Sequence, residues 1–383
     1  MSRIARVEAW PVNVPLEVPY LMAPGVVGGI SRAVVRVTTR DGVVGLGEGA
    51  SPLDAGALRG ELGQELVGAD TDVLREALGR EPLPVPEHRT DGRVLVHRPL
   101  AAVEIALHDI AAREAGEPLH ALLGTLRRPT IEFTEYFAYR PEAEDSPAAV
   151  ARQCARMIEE HGAQGFEGKV AVRDVDADVA LVHEVRSAIG PDRPLRLDAN
   201  MGWRPDTARR ALALLEPFGL ANVEEPVGSF ADMAALKETS DVPFSAHTPD
   251  PELAGRLGAP DTLVLGAIAC GGIEGTRRFA ARCDEHGVGF WFYSGDLGIA
   301  TAAQLHLAAT LPSLAGPSQS LLRWTVDDVI VGGAVSPQDG VVQVPDGPGL
   351  GVELDPDALT RGTERYARDG AYSFYDGPSL PRH

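Results

Sequence analysis

The spacing of hydrophobic residues changes character about a third of the way along the chain. Before that point, alternation of apolar and polar residues predicts strands, and helical spacing predicts helices. The turn pair Asp41-Gly42 indicates a hairpin, and the glycines at 23–29 read as a loop. The strand-like and helical segments are, in order, 4–16, 33–48, 52–80 and 99–116. Residues 1–127 are therefore predicted to form an α+β domain.

From residue 128 the pattern repeats, with each short strand-like segment followed by a helical one. The predicted strands are 131–137, 165–172, 195–198, 222–224, 244–247, 262–265 and 289–293. Such alternation is typical of a parallel sheet, and this many repeats favour closure into a barrel. We predict an α/β fold, a (β/α)7β TIM-like barrel over 128–340. Residues 341–383 are predicted to return to the α+β unit, which then caps the barrel.

Charge and composition restrict the partners. The formal net charge of −20 disfavours nucleic acid and anionic membranes, because both attract basic surfaces. No apolar stretch is long enough to span a membrane, and the first residues do not resemble a signal peptide. Cys154, Cys270 and Cys283 form no zinc pattern or disulfide framework. We therefore expect buried thiols, a cytoplasmic location and a small molecule as the partner.

Polar residues stand where several predicted barrel strands end, which is where barrel enzymes place their active sites. Asp198 and Glu224 end the third and fourth strands, and His247 ends the fifth. Two carboxylates and an imidazole on adjacent strands can hold Mg²⁺, with Mn²⁺ as the alternative. Each carboxylate could instead cap the next helix, and His247 could cap the helix near Pro249-Asp250.

Glu167 and Lys169 lie two residues apart on the second strand, so both are expected to face the barrel interior. Lys169 could serve chemistry there, or simply pair with Glu167. Tyr293 ends the seventh strand and is a candidate proton donor. It could also be a packing residue at the end of the aromatic run 290–293.

Six motifs, taken in order, resemble the enolase superfamily in its mandelate racemase and glucarate dehydratase branch. The segment 34–48 resembles the family's capping-domain hairpin, and 101–124 resembles its hinge into the barrel. The other motifs are two ligand-bearing strand ends, a double glycine after the sixth strand and a C-terminal return, at 197–203, 223–226, 271–273 and 345–351. The resemblance covers nearly the whole chain.

The resemblance implies a shared first step. A metal ion holds a substrate carboxylate, a base removes the α-proton, and the metal stabilises the resulting enediolate. By resemblance, Lys169 matches the second lysine of the family's lysine-any-lysine pair and would be the base. Asp198, Glu224 and His247 would be the metal ligands. The implied partner is a small-molecule carboxylate, and the implied assembly is a symmetric homo-oligomer.

Several positions depart from the family pattern. Glu167 replaces the first lysine of the pair, and a carboxylate there would raise the pKa of its neighbour. Either Glu167 is itself proton-active, or it orients Lys169, or Lys169 is not the base. His247 replaces an acidic third ligand. Gly266 replaces the Asp or Lys that the family's branches carry, and Tyr293 replaces a His. The second acid–base arm is therefore missing or rebuilt, with Tyr293 as its candidate acid and Asp296 as an assistant.

Specificity is expected from the capping domain and from the end of the first barrel strand. Candidate substrate contacts are Tyr20, the loop 23–30, Arg32, Tyr136, Tyr139, Arg140 and Asn200. An arginine at a strand end can clamp a carboxylate with two hydrogen bonds, although solvent-facing arginines are equally common.

A single base is enough for syn elimination, whereas racemisation normally needs a base on each face. The sequence therefore predicts a metal-dependent dehydratase of a hydroxylated carboxylic acid, with an acid sugar as the favoured substrate class. Two further functions stay open. One is an epimerase or cycloisomerase that uses the same intermediate, and the other is a non-catalytic barrel that binds metal and ligand.

Overall fold

The computed structural model describes residues 2–81, 99–293, 296–319 and 321–372. Its strands are β1 Ile4–Met22, β2 Gly25–Thr39, β3 Val44–Gly49, β4 Thr130–Glu132, β5 Glu135–Phe137, β6 Phe166–Lys169, β7 Leu195–Asp198, β8 Asn222–Glu224, β9 Phe244–Ala246, β10 Thr262–Leu265, β11 Gly289–Phe292 and β12 Val341–Gln343. Its α-helices are α1 Pro52–Arg59, α2 Glu61–Leu66, α3 Thr71–Gly79, α4 Pro99–Ala115, α5 Leu119–Leu123, α6 Pro147–His161, α7 Val175–Ile189, α8 Pro205–Leu215, α9 Phe230–Leu236, α10 Pro251–Leu257, α11 Ile273–Glu285, α12 Gly298–Thr310 and α13 Pro356–Asp369. Two 3-10 helices lie at Glu216–Phe218 and Leu322–Trp324.

The capping domain contains an antiparallel sheet in the order β1-β2-β3. Met22 pairs with Gly25, so the β1–β2 hairpin turns at Ala23-Pro24. The prediction of a Gly-rich loop at 23–30 was wrong, because most of these residues lie inside β2. Pairing with β1 continues across them and overrides the low strand propensity of glycine.

Seven parallel strands form the barrel sheet, in the order β5-β6-β7-β8-β9-β10-β11. Residues 315–319 join its two ends. Ala315 and Gln319 donate backbone hydrogen bonds to β11, and Ser318 exchanges backbone hydrogen bonds with Glu132 and Thr134. The sheet thus closes as the predicted (β/α)7β barrel, and an irregular segment takes the eighth position.

Two segments differ from the sequence-based prediction. The first barrel strand is divided into β4 and β5, because between them the Phe133 N–H donates to the Gly340 oxygen and the Thr134 N–H donates to the Ser318 oxygen. The strand at the start of the C-terminal tail, β12, pairs with β4 rather than with the capping sheet. The tail reaches the capping domain further on, where the Asn13 side-chain amide donates to the Gly370 oxygen at 2.7 Å after α13.

Two carboxylates of the capping domain cap barrel helices. Glu48, in β3, accepts backbone hydrogen bonds from the start of α12 at 2.8 and 3.0 Å. Glu104, in α4, does the same at the start of α11, at 2.6 and 3.0 Å. A carboxylate at a helix N-terminus is stabilising. Both helices follow the C-terminal ends of barrel strands, so these bonds hold the capping domain over that end of the barrel.

The cysteines match the expectation of buried thiols. Cys154, Cys270 and Cys283 are buried, and none of them forms a disulfide bond. Burial raises the pKa of Cys154 and Cys283, so these thiols are poor nucleophiles. Within the described ranges, no helix has both the length and the apolar character needed to cross a bilayer.

Candidate active site

Asp198 and Glu224 end the neighbouring strands β7 and β8, and their Cα atoms pair across the two strands. Lys169 of β6 pairs in the same way with Asp198. All three residues are buried, and the Lys169 amine forms an ion pair with Asp198 Oδ2. The structure therefore brings together the amine and the two carboxylates that the sequence placed at successive strand ends.

His247 joins this group through Glu224. Its Nε2 lies 2.8 Å from Glu224 Oε1, and its Nδ1 lies 2.9 Å from the backbone oxygen of Val264. Because a carbonyl oxygen only accepts, we assign the proton of a neutral His247 to Nδ1, which turns a lone pair on Nε2 towards a carboxylate. A second proton or a cation is needed between them. The following helix is capped by Asp250, which accepts from the backbone of Leu253.

The donor atoms here suit a divalent cation. Asn200 Oδ1 is buried and accepts no hydrogen bond, and Glu224 Oε1 is buried and faces His247 Nε2 at 2.8 Å. Buried acceptor oxygens of this kind are costly unless a positive charge lies nearby. Oxygen ligands with one imidazole nitrogen fit Mg²⁺ or Mn²⁺. Within the described ranges, no three His, Cys, Asp or Glu side chains already surround one metal position. Lys169 instead neutralises Asp198, so the metal-ligand roles stay predictions.

Burial and charge act in opposite directions on the three central groups. Burial alone would lower the pKa of Lys169, but Asp198 outweighs it and the pKa lies well above its usual value. Burial works to raise the pKa of Asp198, and Lys169 brings it below its usual value. Burial raises the pKa of Glu224 against the opposing effect of His247. In this arrangement Lys169 is an ammonium ion, so it must separate from Asp198 before it can accept a proton.

Glu167 lies deeper in the barrel and has its own cation. Arg196, its Cα partner on β7, places Nε 3.1 Å from Glu167 Oε2. The Gln319 amide donates to Glu167 Oε1 and to Glu224 Oε2, at 2.6 Å each. Burial raises the pKa of Glu167 to about 8, although Arg196 opposes the rise. Sequence reasoning missed Arg196 and Gln319, yet Arg196 stands two residues before Asp198 and therefore on the same face of β7.

Directly after three of these strands, the backbone adopts strained conformations. Ala171, Asn200, Met201 and Glu225 follow β6, β7 and β8 with φ of 59°, 45°, 59° and 41°. Residues with a side chain rarely adopt this left-handed region, and such strain concentrates at functional sites. The conformation of Ala171 is stabilised by Asp178 of α7, whose carboxylate accepts a hydrogen bond from the Ala171 N–H at 3.1 Å. The strain marks the strands that carry the amine and the two carboxylates.

Tyr20 reaches the site from the capping hairpin. Its ring meets that of Trp324 edge-on, with 5.3 Å between centroids, and that of Tyr136 at 6.3 Å. The Lys169 amine lies 5.3 Å from the centre of the Tyr136 ring. The hairpin therefore covers the barrel mouth beside Lys169, where a substrate contact was expected.

Three other expected substrate contacts have protein partners. Arg32 is paired with Asp296, with 3.1 Å between Nη2 and Oδ1. Arg140 is paired with Glu144. Tyr139 is buried beneath an arginine guanidinium, 4.0 Å from its ring centre. Their contact with a substrate stays a prediction.

The other side of the mouth is formed after β10 and β11. The Tyr293 ring meets the His247 ring edge-on, with 5.4 Å between centroids. Gly266 follows β10, and the Asp296 carboxylate lies where a side chain at 266 would go. A Cβ at that position would be 3.0 Å from Asp296 Oδ2. Tyr293 and Asp296 therefore occupy the position of the missing second acid–base group, and Arg32 is paired with Asp296.

Two family profiles match this chain. The profile described as "Enolase C-terminal domain-like" matches residues 149–358, and the profile of the "Mandelate racemase / muconate lactonizing enzyme, N-terminal domain" matches residues 4–124. The chain belongs to the mandelate racemase and muconate lactonizing enzyme family. The resemblance seen in the sequence is confirmed, and the protein is an enzyme of the enolase superfamily.

Relatives within the family differ in the reaction named for them. The chain is 30% identical over 362 residues to a probable glucarate dehydratase of Streptomyces coelicolor, covering 86% of this chain and 83% of that one. It is 29% identical over 377 residues to a chloromuconate cycloisomerase of Pseudomonas putida, covering 93% and 98%. An enolase crystal structure from Pseudomonas fluorescens, with bound magnesium, potassium and tartrate, has a TM-score of 0.87 and 25% identity, covering 100% of this chain and 99% of that chain. The reaction of this family member must be argued from its own site.

Proposed function

We propose that the protein is a Mg²⁺-dependent dehydratase of a hydroxylated carboxylic acid, with acid sugars as the substrate class. One observation carries the proposal: the Lys169 amine is paired with Asp198, and Glu224 lies beside Asp198 at the end of the next strand. The similarity to a probable glucarate dehydratase supports it, as does a similar structure that holds magnesium and tartrate.

In this proposal Asp198, Glu224 and His247 hold the cation. When bound, Mg²⁺ supplies the positive charge that makes the α-proton of a carboxylate acidic enough to remove. Asn200, whose buried Oδ1 lies without a donor, contacts the substrate. The capping hairpin with Tyr20 excludes water from the mouth, which strengthens each electrostatic contact there.

Lys169 takes the α-proton. The sequence has 35 basic residues, of which two are lysines. The other, Lys237, lies near the surface and is paired with Asp261 at 2.6 Å. An amine can lose its proton in a protein, whereas a guanidinium does not. A lysine inside the barrel, in a chain that otherwise uses arginine, therefore supports a role in proton transfer.

Dehydration then needs a proton for the leaving group. After Lys169 takes the α-proton, the bond between the β-carbon and its hydroxyl oxygen breaks, and the oxygen leaves as water. The enol that remains tautomerises to a 2-keto acid. Tyr293, on the other side of the mouth, is the proposed donor.

Epimerisation is the second candidate, and the position of Tyr293 is the observation that favours it. A proton donor that approaches from another strand could return a proton to the α-carbon itself. Lys169 would still remove the first proton, so both reactions share this residue.

The two reactions are separated by their products. The Mg²⁺-loaded protein is incubated with D-glucarate, galactarate, D-gluconate and L-tartrate. We expect a 2-keto acid from at least one of them, and a rate at least about 100-fold lower in Lys169→Met. Lys237→Met is the matched control and should retain the rate. An epimer without keto acid would assign an isomerase, and no reaction with Mg²⁺ bound would assign a non-catalytic barrel.

A further inference from the structure

A buried carboxylate in helix α7 joins the segments that follow two barrel strands. Asp178 is fully buried, and both of its oxygens accept from the Ala171 N–H, at 3.1 Å each. Its Oδ2 also accepts from the Trp203 indole N–H at 3.2 Å. Ala171 follows β6, and Trp203 lies between β7 and α8. Asp178 therefore links the ends of the strands that carry Lys169 and Asp198.

A different residue caps α7. Asp174 precedes the helix and accepts from the Ala177 N–H at 2.8 Å, as an N-cap residue does. Burying a further carboxylate is costly unless hydrogen bonds compensate it. For Asp178 these bonds come from an amide and an indole of other segments. Its contacts therefore indicate a role at the strand ends.

The bond to Ala171 lies two residues from the proposed base. Ala171 has a φ of 59°, which costs free energy in a residue with a side chain, so the bond helps to hold this conformation. The preceding amide, of Val170, donates to the backbone oxygen of Asp198 at 3.0 Å. Two consecutive amides after Lys169 are therefore fixed, one by β7 and one by Asp178.

Close packing around Gly202 restricts Ala171 further. A Cβ at position 202 would lie 2.7 Å from the Cβ atoms of Ala171 and Ala23, and 2.9 Å from the Ala199 oxygen. All three distances are shorter than an ordinary contact, and Ala23 belongs to the turn of the capping hairpin. The end of β6, the loop after β7 and the capping turn therefore meet at this glycine, next to Trp203.

We infer that Asp178 is a positioning residue for Lys169: by fixing the end of β6, it sets where the amine lies relative to Asp198 and the substrate. This inference rests on the proposed function, in which Lys169 removes the α-proton. A misplacement of about 1 Å can slow a reaction about 100-fold. A purely structural role would lower the stability of the protein, but it would leave the amine of each folded molecule in place.

The first measurement follows the α-proton of the substrate. D-glucarate and L-tartrate are incubated with Mg²⁺ in D₂O, and the loss of the α-proton, by exchange or by elimination, is recorded by proton NMR. We expect kcat for this loss to fall about 10- to 100-fold in Asp178→Ala. KM should stay close to that of the wild type, because the base is displaced and the substrate contacts are not.

Two further variants show whether the hydrogen bond is responsible. Asp178→Asn keeps an oxygen that can accept from the Ala171 amide, so it should recover most of the rate. Asp176→Ala is the matched control. Asp176 lies in the first turn of the same helix and pairs with Arg210 at the surface, at 2.7 Å, so its loss should leave the rate unchanged.

The second measurement needs no substrate. The sequence has two lysines, so protein labelled with ¹³C at the lysine ε-carbons gives two signals, and Lys169→Met identifies the one from Lys169. The Lys169 amine lies 5.3 Å from the centre of the Tyr136 ring, and an aromatic ring shifts nearby proton resonances by an amount that depends on distance. We expect the Lys169 signal to move in Asp178→Ala. It should also move in Gly202→Ala, whose methyl group pushes on Ala171 while Asp178 is intact.

A moved Lys169 signal together with a lower kcat in Asp178→Ala, and neither change in Asp176→Ala, supports the inference. A wild-type signal or a wild-type kcat in folded Asp178→Ala overturns it and leaves the proposed function standing. If Asp178→Ala does not fold, Gly202→Ala decides, and a wild-type signal there overturns the inference. Wild-type protein that removes no α-proton overturns the proposed function, whereas the lysine spectra still decide whether Asp178 holds the amine in place.

Discussion

Replacing Gln319 with leucine removes one amide that holds two buried carboxylates. The amide donates to Glu167 Oε1 and Glu224 Oε2, both at 2.6 Å, and leucine offers no donor. A hydrogen bond to a charged group contributes about 1.5–3 kcal/mol. The loss is partial, because Glu224 keeps His247, whose Nε2 lies 2.8 Å from Oε1, and Glu167 keeps Arg196. We expect the free energy of unfolding to fall by about 2–4 kcal/mol.

The same change should weaken metal binding. A ligand whose outer partner is lost typically binds its metal about 10- to 100-fold more weakly, and Gln319 is such a partner for Glu224. Free Mn²⁺ is measured by electron paramagnetic resonance, and stability by urea unfolding without metal. Gln343→Leu, at an exposed site of β12, is the control and should alter neither. Wild-type Mn²⁺ affinity in a destabilised Gln319→Leu protein would refute the reasoning, since Gln319 would then support only the barrel.

Three further predictions concern the rest of the fold. Gly47→Ala should lower the free energy of unfolding by about 3 kcal/mol, because its Cβ would lie 1.9 Å from the Ala102 carbonyl oxygen. Gly56→Ala, in α1 with open space around it, should instead gain about 0.5–1 kcal/mol in the same urea titration. His108→Gln should lower the free energy of unfolding at pH 6 and leave it almost unchanged at pH 9.5. Burial alone would lower the pKa of His108, but Glu104 raises it to about 9. The histidine's contribution, up to about 3 kcal/mol, is therefore full below the unfolded pKa near 6.5 and lost as pH rises through 9; an equal effect of the substitution at both pH values would contradict this.

Much of the fold follows from local sequence signals. The strand–helix alternation after residue 128 predicts the parallel barrel sheet, since each strand is a short apolar run that a helix must follow. The strand ends at Asp198 and Glu224 could also be predicted, because each carboxylate ends a short buried run and the C-terminal strand ends of a barrel form its mouth. The family profiles confirm this architecture.

The features that sequence reasoning missed depend on contacts distant along the chain. The closing segment 315–319 has no strand pattern, and its place is set by backbone bonds to β11 and to Thr134. The ion pair between Glu167 and Arg196 and the ion pair between Arg32 and Asp296 each join residues of different elements. Of the 35 basic residues, 33 are arginines and two are lysines. This scarcity of lysine distinguishes Lys169 and can be read from the sequence alone.

The central claim is that Asp198 and Glu224 hold a divalent cation beside Lys169. Crystals soaked in Mn²⁺ and measured near its absorption edge test this directly. The account predicts an anomalous peak about 2.1 Å from a carboxylate oxygen of each residue, with the Lys169 amine moved off Asp198. A protein that keeps the Lys169–Asp198 ion pair at saturating Mn²⁺, with no peak between the two carboxylates, would contradict it.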